Sequence, residues 1–396
     1  MRLLLYYWNA NNRQILADNL KKAGFELIIY DKPIKHYTRD LELASDMIPF
    51  IHANGVEAVI SFNYFPILSM ICNTCRIPYY SWVYDSPHFT LYAKSITMPC
   101  NHIGLFDREL VKHLQDDYKV LSVFHAPLSV DAEYFYQTIQ SAEKKTLEKY
   151  ACDVSFVGSL YSDEYNYYDM LDMAGTGEQE SQLIAKQCFE YKQDYLRPAL
   201  DSGEINKGAI QGKMEEHGLM LGEDYFALPE DVLLAAVLEK KVTVEERRIL
   251  LTQIAEAGRS EFSFKLYTGS DTKGLPVLDA CNCGRVDYHS QMPLVFVASR
   301  INLNISLRSI HSGIPLRVLD IMACGGFALS NWQPELAEYF VEGKEIALFE
   351  SKEECMEKIS YYLAHEEERK EIAAAGKRKV QEHFSYERGL EKLFGV

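Results

Sequence analysis

The chain has 396 residues, of which 47% are hydrophobic and 25% are charged, and its formal net charge is −16. A chain of this length exceeds the size at which one hydrophobic core keeps growing, so we expect two domains. The acidic balance argues against a nucleic-acid partner, because such binding relies on clustered lysine and arginine. The nine cysteines form no evenly spaced framework, and no run of about 18 apolar residues could span a membrane. These features predict a soluble, cytoplasmic protein without an integral membrane segment.

In the first part of the chain, short apolar runs alternate with amphipathic helical patterns, which is typical of βα units around a parallel sheet. Strands are predicted over residues 3–8, 26–30, 58–62, 79–83, 102–106 and 120–124. Helices are predicted over residues 13–23 and 41–53, and a glycine that would end the helix follows each of them closely. These elements predict a Rossmann-like first domain over residues 1–148.

A second series of strands is predicted over residues 153–157, 262–267, 294–298, 303–305 and 327–330. It indicates a second Rossmann-like domain over residues 149–380, interrupted by a mostly helical insertion at about 163–260. Thr243 and Glu246 have the spacing of a helix capping box, and so do Ser351 and Glu354. A terminal helix over residues 381–396 is expected to pack back on the first domain. The predicted fold class is therefore α/β, with two Rossmann-like domains that face a central cleft.

The segment from residue 305 to residue 326 fits a ligand site better than any other part of the sequence. In open α/β sheets, ligands bind beyond the carboxyl ends of the strands, where a helix N-terminus favours an anion. Gly313 permits a tight turn, and Pro315 suits the first position of a helix. Arg317 in the first turn would bind a phosphate, and Asp320 one turn later would accept hydrogen bonds from a ribose. Alternatively, Arg317 is solvated and Asp320 is a surface acid.

Several segments in this region resemble those of known glycosyltransferases. The sequence DIMACGG at residues 320–326 resembles a segment of the group 1 glycosyltransferases. Residues 303–386 are similar to the C-terminal domain of the CgeB-like (spore-maturation type) members, through PEL at 334–336 and GKEI at 343–346. The resemblance implies the GT-B fold, in which a nucleotide-sugar binds between two Rossmann-like domains. It further implies metal-independent transfer of a sugar, from a UDP-linked donor, to a hydroxyl acceptor.

The resemblance assigns roles to individual residues and also shows one departure. Asp320 matches the second acid of the family's two-acid motif, which holds the nucleotide ribose. The first acid falls on Ser312, so the donor sugar and the stereochemistry of transfer stay open. Gly158 and Ser159 resemble the loop that approaches the diphosphate, although an ordinary turn would have the same sequence.

Further candidates lie in the loops on either side of this segment. Thr268, Val286 and Tyr288 are candidates for the nucleobase pocket, although Thr268 also begins a plain turn sequence. Arg308 and His311 precede the glycine turn and would face the cleft. His311 is the favoured donor to a phosphate or a sugar, and a solvated histidine is the alternative.

The acceptor side is expected in the first domain, where Asp85 and His88 follow the predicted strand over residues 79–83. Either side chain would serve as the base that removes the proton of an acceptor hydroxyl. The alternative is a turn in which Asp85 accepts nearby backbone N–H groups. The tight pair Cys281 and Cys283 lacks a second pair at zinc-site spacing, so no metal is expected.

Three functions remain open at this point. The first is a glycosyltransferase with a nucleotide-sugar as co-substrate, no other cofactor, and a glycan or a protein as acceptor. The second is a nucleotide-sugar epimerase of similar fold, because folds are reused for different reactions. The third is a non-catalytic protein that binds a nucleotide-sugar or a partner, which the serine at position 312 keeps open. The oligomeric state is not predicted.

Overall fold

A computed structural model of the chain describes residues 1–7, 12–162, 166–172, 178–217, 222–226 and 230–395. Within these ranges the first sheet consists of β1 (Arg2–Tyr6), β2 (Glu26–Tyr30), β3 (Ala58–Phe62), β4 (Tyr79–Val83), β5 (Asn101–Leu105) and β6 (Val123–His125). The strands are parallel and lie in the order β2-β1-β3-β4-β5-β6. Successive side chains of a strand point to opposite faces. Leu4 of β1 accordingly packs into one core layer and Leu3 and Leu5 into another.

Helices cover both faces of this sheet, which buries the strands almost completely. They are α1 (Arg13–Lys22), α2 (Leu41–Ala53), α3 (Pro66–Cys75) and α4 (Arg108–Asp116). Two further helices, α5 (Ala132–Gln140) and α6 (Lys144–Tyr150), pack mainly against the second domain. Single 3₁₀ turns occupy Phe89–Tyr92 and Lys94–Thr97. Asp107 begins α4 as its N-cap, since its carboxylate accepts from the backbone N–H groups of Glu109 and Leu110.

The second sheet is also parallel, with the described strands in the order β11-β10-β9-β7-β8. Its strands are β7 (Cys152–Val157), β8 (Phe264–Tyr267), β9 (Ser299–Asn304), β10 (Ala328–Asn331) and β11 (Ala347–Phe349). The helices around it are α13 (Pro276–Cys281), α14 (Met292–Ala298), α15 (Leu316–Ala323), α16 (Pro334–Tyr339), α17 (Lys352–Ala364) and α18 (Glu366–His383). The strands are largely buried between these helices, including the polar side chains of Asn302 and Asn304 in β9, which are hydrogen-bonded.

A helical insertion separates β7 from β8. Its described helices are α7 (Tyr167–Met170), α8 (Glu178–Gln187), α9 (Leu196–Ser202), α10 (Lys207–Glu216), α11 (Glu230–Leu233) and α12 (Lys240–Ala257). A π-helical segment, Leu234–Glu239, joins α11 to α12 without a break. The insertion has its own apolar core, which includes Leu200, Val237 and Leu238.

The last helix, α19 (Tyr386–Phe394), lies on the first domain rather than on the second. Tyr386, Leu390 and Leu393 are buried in the same core layer as Leu3 and Trp82. The chain therefore crosses between the domains twice, once before β7 and once before α19.

The structure corrects three expectations about local structure. Residues 294–298 form helix α14 rather than a strand, because a short apolar run has no period that separates the two. Thr243 begins no helix and lies inside α12, where its hydroxyl donates to the carbonyl of Glu239. Pro315 is the N-cap of α15, so the helix begins one residue later than expected. The capping residue Ser351 is confirmed, since its hydroxyl accepts from the N–H of Glu354 at 3.1 Å.

Candidate active site

The carboxyl ends of β7 and β8 open into a cavity of about 870 Å³, which we call the β7–β8 cavity. Its wall combines the loops that follow the two strands, residues 285–292 and the start of α15. Six of the predicted donor-site residues line it, namely Gly158, Ser159, Thr268, Val286, Tyr288 and Arg317. The volume falls within the range of small-molecule sites, about 300–1,000 Å³. The structure therefore brings together the predicted base-binding and diphosphate-binding loops, which are more than 100 residues apart in sequence.

The loop after β7 is held in a fixed conformation. The Ser159 hydroxyl accepts from the backbone N–H of Tyr161 at 2.9 Å and lies 3.2 Å from the hydroxyl of Ser270. Gly158 is close-packed, since a Cβ at that position would lie 3.3 Å from the ring of Phe156. Thr268, on the loop after β8, is 2% exposed and accepts from the N–H of Ser270. The wall is thus preformed on this side.

Arg247 of α12 lies directly behind this loop and was missed by the sequence reasoning. Its guanidinium donates to the carbonyls of Ser159 and Ile305, and its Nε has no hydrogen-bond partner among the described residues. No described carboxylate forms an ion pair with it, although the side chain is buried. Burial lowers the pKa of Arg247, and the neighbouring Tyr161 opposes that shift. A buried cation without a counter-ion is costly, and an anion beside Ser159 would offset that cost.

Arg317 enters the same cavity from the first turn of α15 and is held by Asp320. Its Nη1 lies 3.3 Å from Asp320 Oδ2, while the Tyr288 hydroxyl donates to Asp320 Oδ1 at 2.8 Å. Asp320 itself is 1% exposed and lies beneath these two side chains rather than in the cavity wall. Burial raises the pKa of Asp320 to about 6, against the opposing effect of Arg317. Its carboxylate thus fixes two of the groups that line the cavity.

Ser312 and Gly313 form a contact between the domains. The Ser312 hydroxyl lies 2.7 Å from Asp107 Oδ1 and 2.8 Å from Glu335 Oε1. A Cβ at Gly313 would lie 2.7 Å from the carbonyl oxygen of Phe106, so only glycine permits this approach. An acid at position 312 would be a third carboxylate beside Asp107 and Glu335, which like-charge repulsion opposes. The serine therefore has a structural explanation, and the two residues do not line the β7–β8 cavity.

Arg308 and His311 point away from the β7–β8 cavity. Arg308 pairs with Glu246 of α12, with its Nε 3.0 Å from Glu246 Oε2. The ring of His311 lies 2.8 Å from Glu239 Oε1, and that carboxylate raises the pKa of His311 to about 10. The Glu239 carboxylate therefore favours the protonated form of His311.

A second cavity, the interdomain cavity, has a volume of about 820 Å³ and lies between the first domain, the insertion and the loops after β9 and β10. His88, Arg308 and His311 line it. His88 Nε2 lies 3.0 Å from the carbonyl oxygen of Tyr64, so Nε2 carries the ring proton and Nδ1 is an acceptor. Burial lowers the pKa of His88, and Asp85 opposes that shift. Asp85 is exposed, and its Oδ2 accepts from Asn63 Nδ2 at 2.6 Å.

Comparison with known proteins identifies the fold and finds a family similarity in the C-terminal part of the chain. Residues 247–395 match the glycosyl transferase-like family. A glycosyltransferase from Rickettsia africae superposes with a TM-score of 0.57 at 12% identity, covering 100% of this chain and 97% of that one. Sucrose-phosphate synthase from Thermosynechococcus elongatus gives 0.57 at 10% identity, covering 100% and 98%. HepE of Anabaena in complex with UDP-glucose gives 0.54 at 10% identity, covering 100% and 99%.

The predicted GT-B fold is confirmed, because these structures match the whole length of the chain. The family match places a glycosyl transferase-like similarity in residues 247–395. None of the curated protein sequences compared with this chain matches it. The described helices include none that is long and apolar enough to cross a membrane. The residues that the structure describes also contain no cluster of three or more His, Cys, Asp or Glu that could hold a metal ion.

Proposed function

We propose that this protein transfers a sugar from a nucleotide-sugar, with UDP as the nucleotide, to a hydroxyl acceptor. The observation that carries the proposal is the arginine in the wall of the β7–β8 cavity, backed by a buried second arginine, in a region that matches a glycosyl transferase-like family. Arg317 lies in the cavity wall, and Arg247 stands behind the Ser159 loop without a described carboxylate partner. A guanidinium in the first turn of α15, with a second positive charge behind the loop after β7, suits a diphosphate.

The donor would lie along the predicted loops. Val286, Tyr288 and Thr268 would contact the base, and Gly158 and Ser159 the diphosphate. Asp320 would support ribose binding indirectly, because it contacts Tyr288 and Arg317 and holds both side chains in the cavity wall. Positive charge fixed beside the leaving diphosphate stabilises it as the bond to the sugar breaks, so the reaction needs no metal ion.

His88 is the better candidate for the base, because it lines the interdomain cavity and Asp85 does not. Its Nδ1 lone pair would take the proton of the acceptor hydroxyl while the acceptor oxygen bonds to the anomeric carbon. At the same time the bond from that carbon to the diphosphate breaks, and UDP leaves with the electron pair. Asp85 raises the pKa of His88 and would stabilise the imidazolium that forms.

The proposal also includes a family subgroup, a cellular location and a class of acceptor. The DIMACGG, PEL and GKEI segments support membership of the CgeB-like group, and the composition supports a cytoplasmic location. A glycan or a protein would be the acceptor. An epimerase of similar fold is disfavoured, because the family matched by residues 247–395 is described as glycosyl transferase-like. The non-catalytic alternative predicts nucleotide binding without turnover.

Calorimetric titration with UDP and UDP-glucose tests the donor site. Arg247→Ala should weaken binding about 10- to 100-fold, because it removes a positive charge and the hydrogen bond that holds the Ser159 carbonyl. Arg248→Ala is the matched control, since this neighbour is exposed and pairs with Glu245. UDP-glucose hydrolysis by the wild type would exclude the non-catalytic alternative. Indifference of the wild type to UDP, GDP, TDP and CDP alike would refute the proposal.

A further inference from the structure

Asp320 is a buried carboxylate with few partners. Its side chain is 1% exposed, and its partners in the described part of the chain are the Tyr288 hydroxyl at Oδ1 and Arg317 Nη1 at Oδ2. An ionised carboxylate has room for about four hydrogen bonds, so that of Asp320 is incompletely satisfied. Asp107, which is 2% exposed, differs because it accepts from four backbone N–H groups. The ionised form of Asp320 therefore depends strongly on one cation, Arg317.

Three further ionisable groups face Asp320 and carry no charge near neutrality. They are Tyr84 after β4, Tyr386 of α19 and Cys324 at the C-terminus of α15. Burial raises the pKa of each of the three, so each stays protonated across the neutral range. Lys377 of α18 faces Cys324. The charge of Asp320 is thus set mainly by burial and by Arg317, which act in opposite directions.

A ligand in the β7–β8 cavity reaches Arg317 but not Asp320. The Arg317 side chain is 28% exposed and lines the cavity, whereas Asp320 is 1% exposed and lies beneath the wall. Arg317 belongs to the first turn of α15, where the helix dipole favours an anion. A diphosphate bound here would pair with the guanidinium directly and so compete with Asp320 for it.

We propose that binding of a nucleotide-sugar in the β7–β8 cavity is coupled to the uptake of a proton from solvent by Asp320, an inference that rests on the proposed donor site. Two effects act in the same direction. The diphosphate draws Arg317 away from the carboxylate, and it also places negative charge close to a carboxylate that is shielded from water. Both effects favour the neutral acid, whose carbonyl oxygen still accepts from the Tyr288 hydroxyl.

The coupling has a defined sign and a defined pH range. Burial raises the pKa of Asp320 to about 6 in the free protein, and the bound diphosphate raises it further. The affinity is therefore highest below about pH 6 and falls as the pH rises through the pKa of the complex, because the complex holds the proton more tightly. A direct hydrogen bond from the ribose to an ionised Asp320 would have the opposite effect, namely release of a proton.

Calorimetric titration of the full chain with UDP-glucose, in two buffers with different ionisation enthalpies, measures the protons exchanged on binding. UDP-glucose is preferred to UDP, because both of its phosphates are esterified, whereas a terminal phosphate titrates at about pH 6. Asp320→Asn removes the titrating group and keeps an acceptor for Tyr288. The control is Glu371→Gln, at an exposed position of α18.

The wild type should take up about half a proton or more per UDP-glucose at about pH 7. Its affinity should fall about three- to thirtyfold between about pH 6 and about pH 8.5. Asp320→Asn should bind without this uptake and with an affinity that varies little with pH, whereas the control should behave as the wild type does. Release of a proton, binding without proton exchange, or uptake that persists in Asp320→Asn, for example at His289 in the cavity wall, would each overturn the inference.

Tyr288→Phe decides the question if Asp320→Asn does not fold. This variant keeps the carboxyl group and removes the hydroxyl that opposes the effect of burial on the pKa of Asp320. The pH of maximal proton uptake should therefore rise, and an unchanged maximum would contradict the inference. If no nucleotide-sugar binds to the wild type, the proposed donor site fails and the inference falls with it, whereas binding without linked protons refutes the inference alone.

Discussion

The wild-type protein should lose stability as the pH rises toward neutrality, because Asp320 is buried. Replacing Asp320 by asparagine should abolish this pH-dependent loss. Burial raises the pKa of this carboxyl from 3.8 to about 6, and the side chain is 1% exposed. Between those values the native protein holds the proton and the unfolded chain has released it. The free energy of unfolding therefore falls as the pH rises through this window, opposite to the behaviour of an acid with a depressed pKa. A shift of roughly two units corresponds to about 3 kcal/mol.

Urea denaturation of both proteins without nucleotide, at about pH 4 and about pH 8, measures this effect. Asparagine keeps an oxygen that accepts from Tyr288, so the local hydrogen bond survives the substitution. The stability of Asp320→Asn relative to the wild type should increase by about 3 kcal/mol between the two pH values. Glu371→Gln serves again as the exposed control and should show no such change. A difference that is constant with pH would refute the reasoning, and a change of opposite sign would mean that Arg317 keeps Asp320 ionised in the native protein.

Two further predictions concern the base and the C-terminal helix. If His88 is the base, the acid limb of kcat/KM should lie below pH 6.5, because burial lowers its pKa from that value. His88→Ala should reduce kcat about 10²- to 10⁴-fold, whereas the exposed His102→Ala should not, and an acid limb above that pH would contradict the assignment. Gly389→Ala should destabilise the protein by about 1–3 kcal/mol in thermal or chemical unfolding. The reason is that its Cβ would lie 2.2 Å from Trp82 Cη2, whereas Gly212→Ala in α10 meets nothing within 4 Å. Gly212→Ala should raise the free energy of unfolding by up to about 1 kcal/mol, because alanine favours a helix more than glycine does. Equal effects of Gly389→Ala and Gly212→Ala on stability would contradict this account.

Local patterns were sufficient to predict most of the fold. The strands over residues 26–30, 58–62 and 79–83 have the predicted bounds, because each is a short apolar run between turn residues. Residues 294–298 gave no such signal, since a buried helix and a buried strand are both apolar throughout. Proline at position 293 was the feature that favours a helix start there.

The predicted residues of the candidate site came from strand ends, from the glycine turn before α15 and from the family resemblance. Ser159 and Thr268 were found because the carboxyl ends of parallel strands mark ligand sites. Arg247 lies in the middle of a long helix, and its approach to Ser159 depends on how the insertion packs. Arg308 lines the interdomain cavity, but its pairing with Glu246, 62 positions away in sequence, was not predicted. Pairings of this kind follow from tertiary structure and leave no local pattern.

The position of α19 has a consequence for how the protein is made. The apolar layer that contains Leu3 and Trp82 is completed by Leu390 and Leu393. During synthesis on the ribosome, the first domain emerges early but must wait for the rest of the chain before this layer closes. Until then Trp82, against which α19 packs, stays accessible to chaperones and to neighbouring nascent chains. Premature termination anywhere in the second domain would therefore leave the first domain incomplete as well.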